Sequence, residues 1–218
     1  MFYPSLPYQE NTMANQEINL PERLTPLKGI IENFHQDQQV KHFFEEIIQQ
    51  LPVVMAVERC SLFLHDPVNQ RIMLQYGTGL LERELTLPMA GSLAGDVIQT
   101  GIPRIVEDLT PFETIQNEVK QMTGFQTNTM LCVPIHHPKG NCCAGAIQLL
   151  NPTDNRRFDI QDLNDLAALT LYFRPPIEEL IQQHLKFLQE LEKKKKKDKA
   201  GLVASFLSKW LPVNSGSK

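Results

Sequence analysis

The chain has 218 residues, of which 42% are hydrophobic and 21% are charged, a composition that is ordinary for a globular protein. This length predicts one domain with substantial extensions or two small domains, and no apolar run approaches the roughly 18 residues that span a bilayer. The N-terminus lacks the pattern of a secretory signal, and the four cysteines lack the CxxC spacing of zinc and redox sites. We therefore expect a cytoplasmic protein rather than a secreted, membrane-spanning or disordered one.

The net charge of −4 is unevenly distributed along the chain. Eight lysines and one acid between Lys193 and Lys218 give this tail a charge of +7, whereas the rest of the chain carries 13 basic and 24 acidic residues, or −11. A basic tail is typical of a solvated end, of a contact with an anionic membrane surface, or of an acidic partner. We expect no nucleic-acid partner.

The N-terminal part of the chain is predicted to pass from disorder into helices. Residues 1–20 contain many Gln and Asn residues without a sustained period, which predicts a largely disordered start. Pro21 suits the first position of an amphipathic stretch that continues through Phe34. Apolar residues then recur at helical spacing over Val40–Leu51, and Pro52 is expected to end or kink that helix.

The hydrophobic period then changes to that of strands. Six strands are predicted, at Arg59–His65, Arg71–Tyr76, Glu84–Leu87, Arg104–Val106, Met130–Ile135 and Cys142–Leu150. Two short helices are predicted between them, one from Gly91 to Gly101 and one over Glu113–Met122. The last two strands are almost continuously apolar, which favours the centre of a sheet that is covered on both faces.

Helices are predicted again in the C-terminal part. Asp159 suits the cap of a helix that Pro175 and Pro176 interrupt, and an apolar face continues over Ile177–Leu191 up to the lysine run. The order of these elements predicts an α+β domain, in which helices pack against a central antiparallel sheet.

The end of the chain contains a short amphipathic segment. Six apolar residues of Gly201–Leu211 fall on one helical stripe, which Pro212 ends. The stripe is too short to span a bilayer. One interpretation places it in the membrane interface, with Lys193–Lys197 drawn to anionic lipid; the other docks it on the protein's own body or on a partner.

Three segments, in this order and spacing, resemble the GAF domains of cyclic-nucleotide phosphodiesterases and adenylyl cyclases. They are Glu58–Asp66, Gly91–Gly101 and Val119–Ile135. The resemblance covers about residues 39–185 and implies the GAF-like fold. It divides the chain into an N-terminal extension with a helix (1–38), the GAF-like domain (39–185), and a helical extension with the lysine run (186–218).

The resemblance also implies a ligand pocket. The positions that match ligand contacts in such domains are Ser61, the backbone of Leu93 and Ala94, Thr123, Thr127 and Gln148. A cyclic nucleotide is one candidate ligand, since hydroxyls and amides in an apolar pocket suit a purine and amides at a helix start suit a phosphate. The alternative is that the two threonines cap or pack and that side chains fill the pocket.

The motif of the cyclic-nucleotide-binding subset is only partly present. Asn151, Phe158 and Asp162 match it, but Pro152 replaces its lysine and Leu163 its glutamate. The lysine–aspartate ion pair that the motif implies therefore cannot form. In the lid, Lys120 stands where these domains often have aspartate.

Other chemistries are not expected from the sequence. No cysteine lies between Pro103 and Phe125 to attach a bilin covalently, and His136 and His137 are predicted to lie in a solvated turn rather than to hold haem. Cys60 and Cys132 fall in apolar strands, which is typical of structural thiols. The motifs of nucleotide-hydrolysing, protease, esterase and kinase sites are absent.

We therefore expect a non-catalytic regulatory module that binds a cyclic nucleotide or another small ligand. It is expected to signal as a homodimer through the apolar faces of Val40–Leu51 and Ile177–Leu191. The alternative is a ligand-free interaction or dimerisation module whose C-terminal helix docks on a protein or on a membrane surface.

Overall fold

The computed structural model describes residues 18–67, 69–79, 85–140 and 142–183, together with residues 185, 186, 189, 190 and 193. The chain divides into two compact units, Met1–Ile177 and Glu178–Lys218, and residues 178–183 of the second are helical. No helix within the described residues is long and apolar enough to cross a membrane. The predictions for residues 1–17, for Glu84 and for the tail beyond Lys193 lie outside the described residues.

The first unit is built on a six-stranded antiparallel sheet in the order β3-β2-β1-β6-β5-β4. The strands are β1 (Val57–Asp66), β2 (Arg71–Gly77), β3 (Thr86–Pro88), β4 (Arg104–Val106), β5 (Met130–His136) and β6 (Cys143–Pro152). The predicted α+β fold is confirmed. The two most apolar strands, β5 and β6, lie inside the sheet, as their composition predicts.

Five α-helices, three 3₁₀ turns and the helical residues 174–177 accompany this sheet in the described part of the first unit. The helices are α1 (Lys28–Asp37), α2 (Val40–Met55), α3 (Leu93–Thr100), α4 (Glu113–Thr123) and α5 (Ile160–Thr170), and the 3₁₀ turns are Glu22–Leu27, Thr110–Phe112 and Leu171–Phe173. The apolar stripe predicted over Val40–Leu51 is buried, and Pro52 and Met55 are buried beyond it. Phe44 stacks on Tyr76 of β2 at 5.3 Å between ring centroids and meets Phe173, after α5, edge-on at 5.5 Å. The apolar face of α2 is therefore buried against other parts of the same chain.

Of the two outcomes predicted for Pro52, an end to the helix does not occur. Proline has no N–H, so the carbonyl of Ile48 loses its helical partner. The hydroxyl of Thr78 donates to that carbonyl at 3.3 Å instead. With this replacement, α2 continues for one more turn to Met55, and the next residue, Ala56, has a left-handed φ of 50°.

The interruption predicted at Pro175 and Pro176 falls slightly earlier. The 3₁₀ turn Leu171–Phe173 separates α5 from a helical stretch that includes residues 174–177. Both prolines occupy the first turn of that stretch, where a missing N–H costs little because no intrahelical acceptor awaits it.

The side of the sheet opposite α2 is covered by α3. Successive residues of a strand point to opposite faces, so Phe63 lies on the other side from Leu62, the neighbour of Tyr76 across the β1–β2 ladder. Phe63 belongs to one buried apolar cluster with Leu93 and Val97 of α3. This second layer leaves space for a pocket beside α3.

Candidate ligand pocket

A small pocket lies on the α3 side of the sheet, between β1, β5, β6 and helix α4. Its polar lining residues are Arg59, Ser61, Gln116, Thr123, Thr127 and Gln148. Seven apolar or aromatic side chains complete the lining, and no carboxylate is among the described lining residues. The pocket is thus apolar with a few polar groups, which is the usual construction of a small-molecule site.

The floor of the pocket is a polar pair in an otherwise apolar sheet. Alternation along β1 puts Arg59, Ser61 and Phe63 on one face. Ser61 lies directly across the β1–β6 ladder from Gln148, and both residues are buried. Buried polar groups need partners, so this pair favours a polar ligand group or water at the floor.

Helix α4 forms the wall opposite the sheet. Gln116, Val119 and Thr123 recur at the spacing of one helical face and all line the pocket. The Thr123 hydroxyl donates to the Val119 carbonyl at 2.8 Å and accepts from the Phe125 amide at 3.2 Å. It therefore helps to end α4 as well as facing the pocket.

The structure brings together four of the six predicted ligand residues. Ser61, Thr123, Thr127 and Gln148 line the pocket. Leu93 and Ala94 are not among the lining residues: they open α3, and their side chains are buried in its core cluster. That all six contact a ligand remains a prediction.

The cavity is small. Its volume is about 40 Å³. A single water needs roughly 10–15 Å³ of such volume, so a few waters fit, whereas pockets for drug-sized ligands are about 300–1,000 Å³. A purine therefore requires lining side chains to move apart.

Sequence reasoning missed Arg59 as a site residue. Its guanidinium carbon lies 4.0 Å from the ring centroid of Phe125, a cation–π arrangement at the edge of the pocket. Within the described residues, no carboxylate lies within ion-pair distance of Arg59. The signal was available, because the alternation that places Ser61 on the pocket face also places Arg59 there.

A match to a family model identifies the family of the chain. The family model for the GAF domain matches residues 39–172. The chain belongs to the GAF domain family. This GAF fold is that of small-ligand-binding regulatory modules.

Curated relatives of this GAF domain include two phosphodiesterases. The probable 3',5'-cyclic phosphodiesterase pde-5 of Caenorhabditis elegans is 26% identical over 175 residues, covering 66% of this chain and 24% of that protein. The dual 3',5'-cyclic-AMP and -GMP phosphodiesterase 11A of Takifugu rubripes is 22% identical over 154 residues, covering 66% of this chain and 17% of that protein. The chain thus spans about a quarter or less of the length of these relatives.

Solved structures of other GAF domains share the fold. The GAF domain of the Acinetobacter phosphoenolpyruvate-protein phosphotransferase aligns with a TM-score of 0.59 at 20% identity, covering 75% of this chain and 98% of that one. The free methionine-R-sulfoxide reductase of Neisseria meningitidis aligns with a TM-score of 0.58 at 13% identity, covering 82% and 98%. At such identities, the likeness concerns the fold alone.

In this GAF domain, Asn151 fixes the chain segment that carries Thr127. Its side-chain oxygen accepts from the amides of residues 128 and 129, at 2.7 and 3.3 Å, and its amide nitrogen donates to the carbonyl of Gln126 at 2.8 Å. The same nitrogen donates to Glu58 at 2.9 Å. Asn151 therefore joins the pocket wall to β1, which gives this motif residue a structural role.

The second motif residue, Asp162, pairs with two arginines, although the lysine of the motif is absent. Its carboxylate lies 2.5 Å from Arg23 and 2.6 Å from Arg156. Both arginines also donate to the Met55 carbonyl at the end of α2, and Asp162 completes a capping box with Asp159 at the start of α5. An ion pair thus forms despite Pro152, from positions outside the motif.

The pKa of Asp162 reflects this network. Burial raises the pKa of the carboxyl, but the hydrogen bonds from Arg156, Arg23 and the Asp159 amide together outweigh burial and hold the pKa below its usual value. The carboxylate is therefore ionised at neutral pH and binds both cations.

Three of the four cysteines of the GAF domain are buried, and Cys142 is exposed. Burial raises the pKa of the Cys60, Cys132 and Cys143 thiols. The predicted strand Cys142–Leu150 begins one residue later, at Cys143, which is buried, whereas Cys142 lies just before the strand and is exposed. His136 ends β5 rather than lying in the turn. No group of three or more His, Cys, Asp or Glu among the described residues could hold a metal ion.

Proposed function

We propose that this GAF domain is a non-catalytic regulatory module that binds a small ligand in the pocket beneath α4. The observation that carries the proposal is the convergence of Ser61, Thr127 and Gln148 in an apolar lining. The curated relatives are named as 3',5'-cyclic phosphodiesterases, which makes a cyclic nucleotide the first ligand to test. No covalent bilin and no metal are part of the proposal.

Ligand binding should raise the melting temperature of the protein. At a concentration of about 100 times the dissociation constant, a ligand adds on the order of 2.7 kcal/mol to the free energy of unfolding. We expect this from at least one compound in a thermal-shift screen of cyclic mononucleotides, cyclic dinucleotides and purines. Thr127→Val should weaken binding of that compound roughly three- to tenfold, because it removes one hydroxyl at nearly constant shape.

Thr170→Val is the matched control for this experiment. Thr170 is also buried, but its hydroxyl donates to the Ala167 carbonyl at 2.8 Å in α5, away from the pocket. It should change stability without changing ligand affinity. A screen in which no compound shifts the melting temperature would refute the ligand-binding proposal.

The proposal that the domain is non-catalytic is supported by the pKa values of its cysteine thiols. A thiolate is the reactive form of cysteine, and the raised pKa values of Cys60, Cys132 and Cys143 keep these thiols protonated. These three thiols are therefore poorly suited to act as the nucleophile of a GAF-fold sulfoxide reductase, and the argument does not extend to Cys142, which is exposed.

A ligand-free interaction module is the second candidate function. The volume of about 40 Å³ and the capping role of Thr123 both favour a pocket that its own side chains fill. In this reading the domain dimerises or binds a protein, and the C-terminal segment docks on a protein or on an anionic membrane surface. A failed ligand screen would shift the proposal to this candidate.

We also propose that the protein is a homodimer. The apolar face of α2 is buried within the chain, and Ile177 and Leu180 are buried as well. We therefore place the pairing surface on the exposed part of the predicted stretch Ile177–Leu191, at Leu185. Light scattering should report twice the chain mass of 24.9 kDa at micromolar concentration. Leu185→Glu should shift the protein towards monomer, because it places a charge on an exposed leucine of that stretch.

Leu171→Glu is the control for the dimer experiment, since Leu171 is equally exposed but lies in the 3₁₀ turn after α5. It should leave the mass unchanged. Wild-type protein that reports only the monomer mass at micromolar concentration would contradict the dimer.

A further inference from the structure

The charge in the described lining of the pocket is positive. Arg59 is the only charged residue in its described lining, and the other polar groups are neutral hydroxyls and amides. Arginine is always protonated at physiological pH. A half-buried guanidinium beside an apolar cavity is poorly compensated, since burying a charge is costly unless it is paired.

Nothing in the described structure neutralises this cation. Its near contact is the ring face of Phe125, at 4.0 Å. The adjacent carboxylate, that of Glu58, accepts a hydrogen bond from Asn151 instead, at 2.9 Å. The guanidinium keeps its N–H donors for another acceptor, and it lies over the ring of Phe125 at the pocket edge.

The sheet fixes the distance from this cation to the pocket floor. Arg59 and Ser61 are two residues apart on the same face of β1, which places them roughly 6–7 Å apart along the strand. Gln148 lies across from Ser61, and Leu150 lies across from Arg59. A ligand on this floor thus meets neutral donors and acceptors at one end and a cation at the other.

The start of α3 does not supply a competing anion site in this pocket. The amides of Leu93 and Ala94 were the expected partners of a phosphate, yet neither residue lines the pocket. Ser92 caps the helix start by accepting from the Gly95 amide at 3.1 Å. An anion in this pocket would therefore meet Arg59 rather than the start of α3.

We propose that the pocket recognises an anionic group of its ligand, a phosphate or a carboxylate, through the guanidinium of Arg59. Ser61 and Gln148 bind the neutral polar body of the same ligand. The planar fork of arginine fits either anion with two parallel hydrogen bonds, and Phe125 orients it. This inference rests on the proposed function, since it assigns the charge of the ligand in that same pocket.

Matched pairs of compounds test the charge directly. Calorimetry with cyclic GMP against guanosine and cyclic AMP against adenosine examines the phosphate, and succinate against succinamide examines the carboxylate. We expect at least one anion to bind and its neutral match to bind at least tenfold more weakly. The pair that shows this difference identifies which anion the pocket takes.

Substitutions of Arg59 test whether its guanidinium binds the anion. Arg59→Gln should weaken binding of that anion at least tenfold, and Arg59→Lys should fall between, because lysine keeps the charge but not the fork. Arg71→Gln is the matched control: Arg71 is an exposed arginine at the opposite end of the β1–β2 ladder. It removes the same charge from the protein and should leave affinity unchanged.

The outcomes separate this inference from the proposed function. If a neutral match binds as tightly as its anion, or if Arg59→Gln binds the anion as wild type does, the role of Arg59 is overturned while ligand binding stands. If no probe binds, the role of Arg59 is overturned, and ligand binding is decided separately by the thermal-shift screen. Should Arg59→Gln fail to fold, as seen by circular dichroism, Arg59→Lys and the neutral matches still decide the question.

Discussion

Replacing Gly145 with alanine is expected to lower the free energy of unfolding by at least about 3 kcal/mol. A Cβ atom at this position would lie 2.0 Å from the carbonyl oxygen of Phe63 and 3.1 Å from its carbonyl carbon. Gly145 pairs with Leu64 where β6 meets β1. The obstacle is backbone rather than a flexible side chain, so one of these two interior strands must move.

Gly29→Ala is the control for this substitution. Gly29 lies in α1, where a Cβ would meet nothing within 4 Å. Alanine should therefore be neutral there, or stabilise the helix by up to about 1 kcal/mol through its higher helix propensity. Urea unfolding followed by circular dichroism measures both variants. Equal stability of Gly145→Ala and wild type would show that β1 and β6 are not packed as closely as described.

The sheet is the part of the fold that sequence reasoning predicts best. Continuous apolar character marks β5 and β6 as interior strands, and alternation marks β1. These signals are local, because each depends only on which faces of one strand are buried. The same alternation places Ser61 on the pocket face, so part of the candidate site was also predictable.

The features that escaped prediction depend on partners distant in sequence. Helix α2 continues past Pro52 because Thr78, 30 residues from Ile48, supplies the missing donor. Asp162 keeps an ion pair because Arg23, 139 residues away, reaches it. A sequence motif shows that its lysine is absent at position 152. It does not show that arginines from other parts of the chain contact Asp162 instead.

Removing the charge of Asp162 is expected to cost the domain about 3 kcal/mol of stability at pH 7, since the loss of one member of a buried ion pair leaves the others unpaired. Asp162 is 1% exposed, and it contacts Arg23 and Arg156. Asp162→Asn keeps an oxygen that can accept from the Asp159 amide, so the helix cap survives. The loss therefore reports the charge.

The pH dependence of this loss has a definite sign. The folded-state pKa of Asp162 is lowered, so its contribution is fully present above the unfolded pKa, about 3.9, and is lost as the pH falls through the folded value. The stability gap between wild type and Asp162→Asn should be constant near pH 7, shrink below about pH 4 and close in stronger acid. Urea unfolding across this pH range measures the gap.

The control and the two arginines complete this prediction. Asp154→Asn removes an exposed carboxylate from the loop between β6 and α5 and should open no gap at any pH.

Arg23→Gln and Arg156→Gln should each cost less stability than Asp162→Asn, because one cation remains on the carboxylate. The double variant should cost more than the sum of the two. A gap that persists unchanged into acid would show that Asp162 acts through shape and capping rather than charge. Because these three side chains join residue 23, the end of α2 and the start of α5, loss of the charge should release all three contacts together.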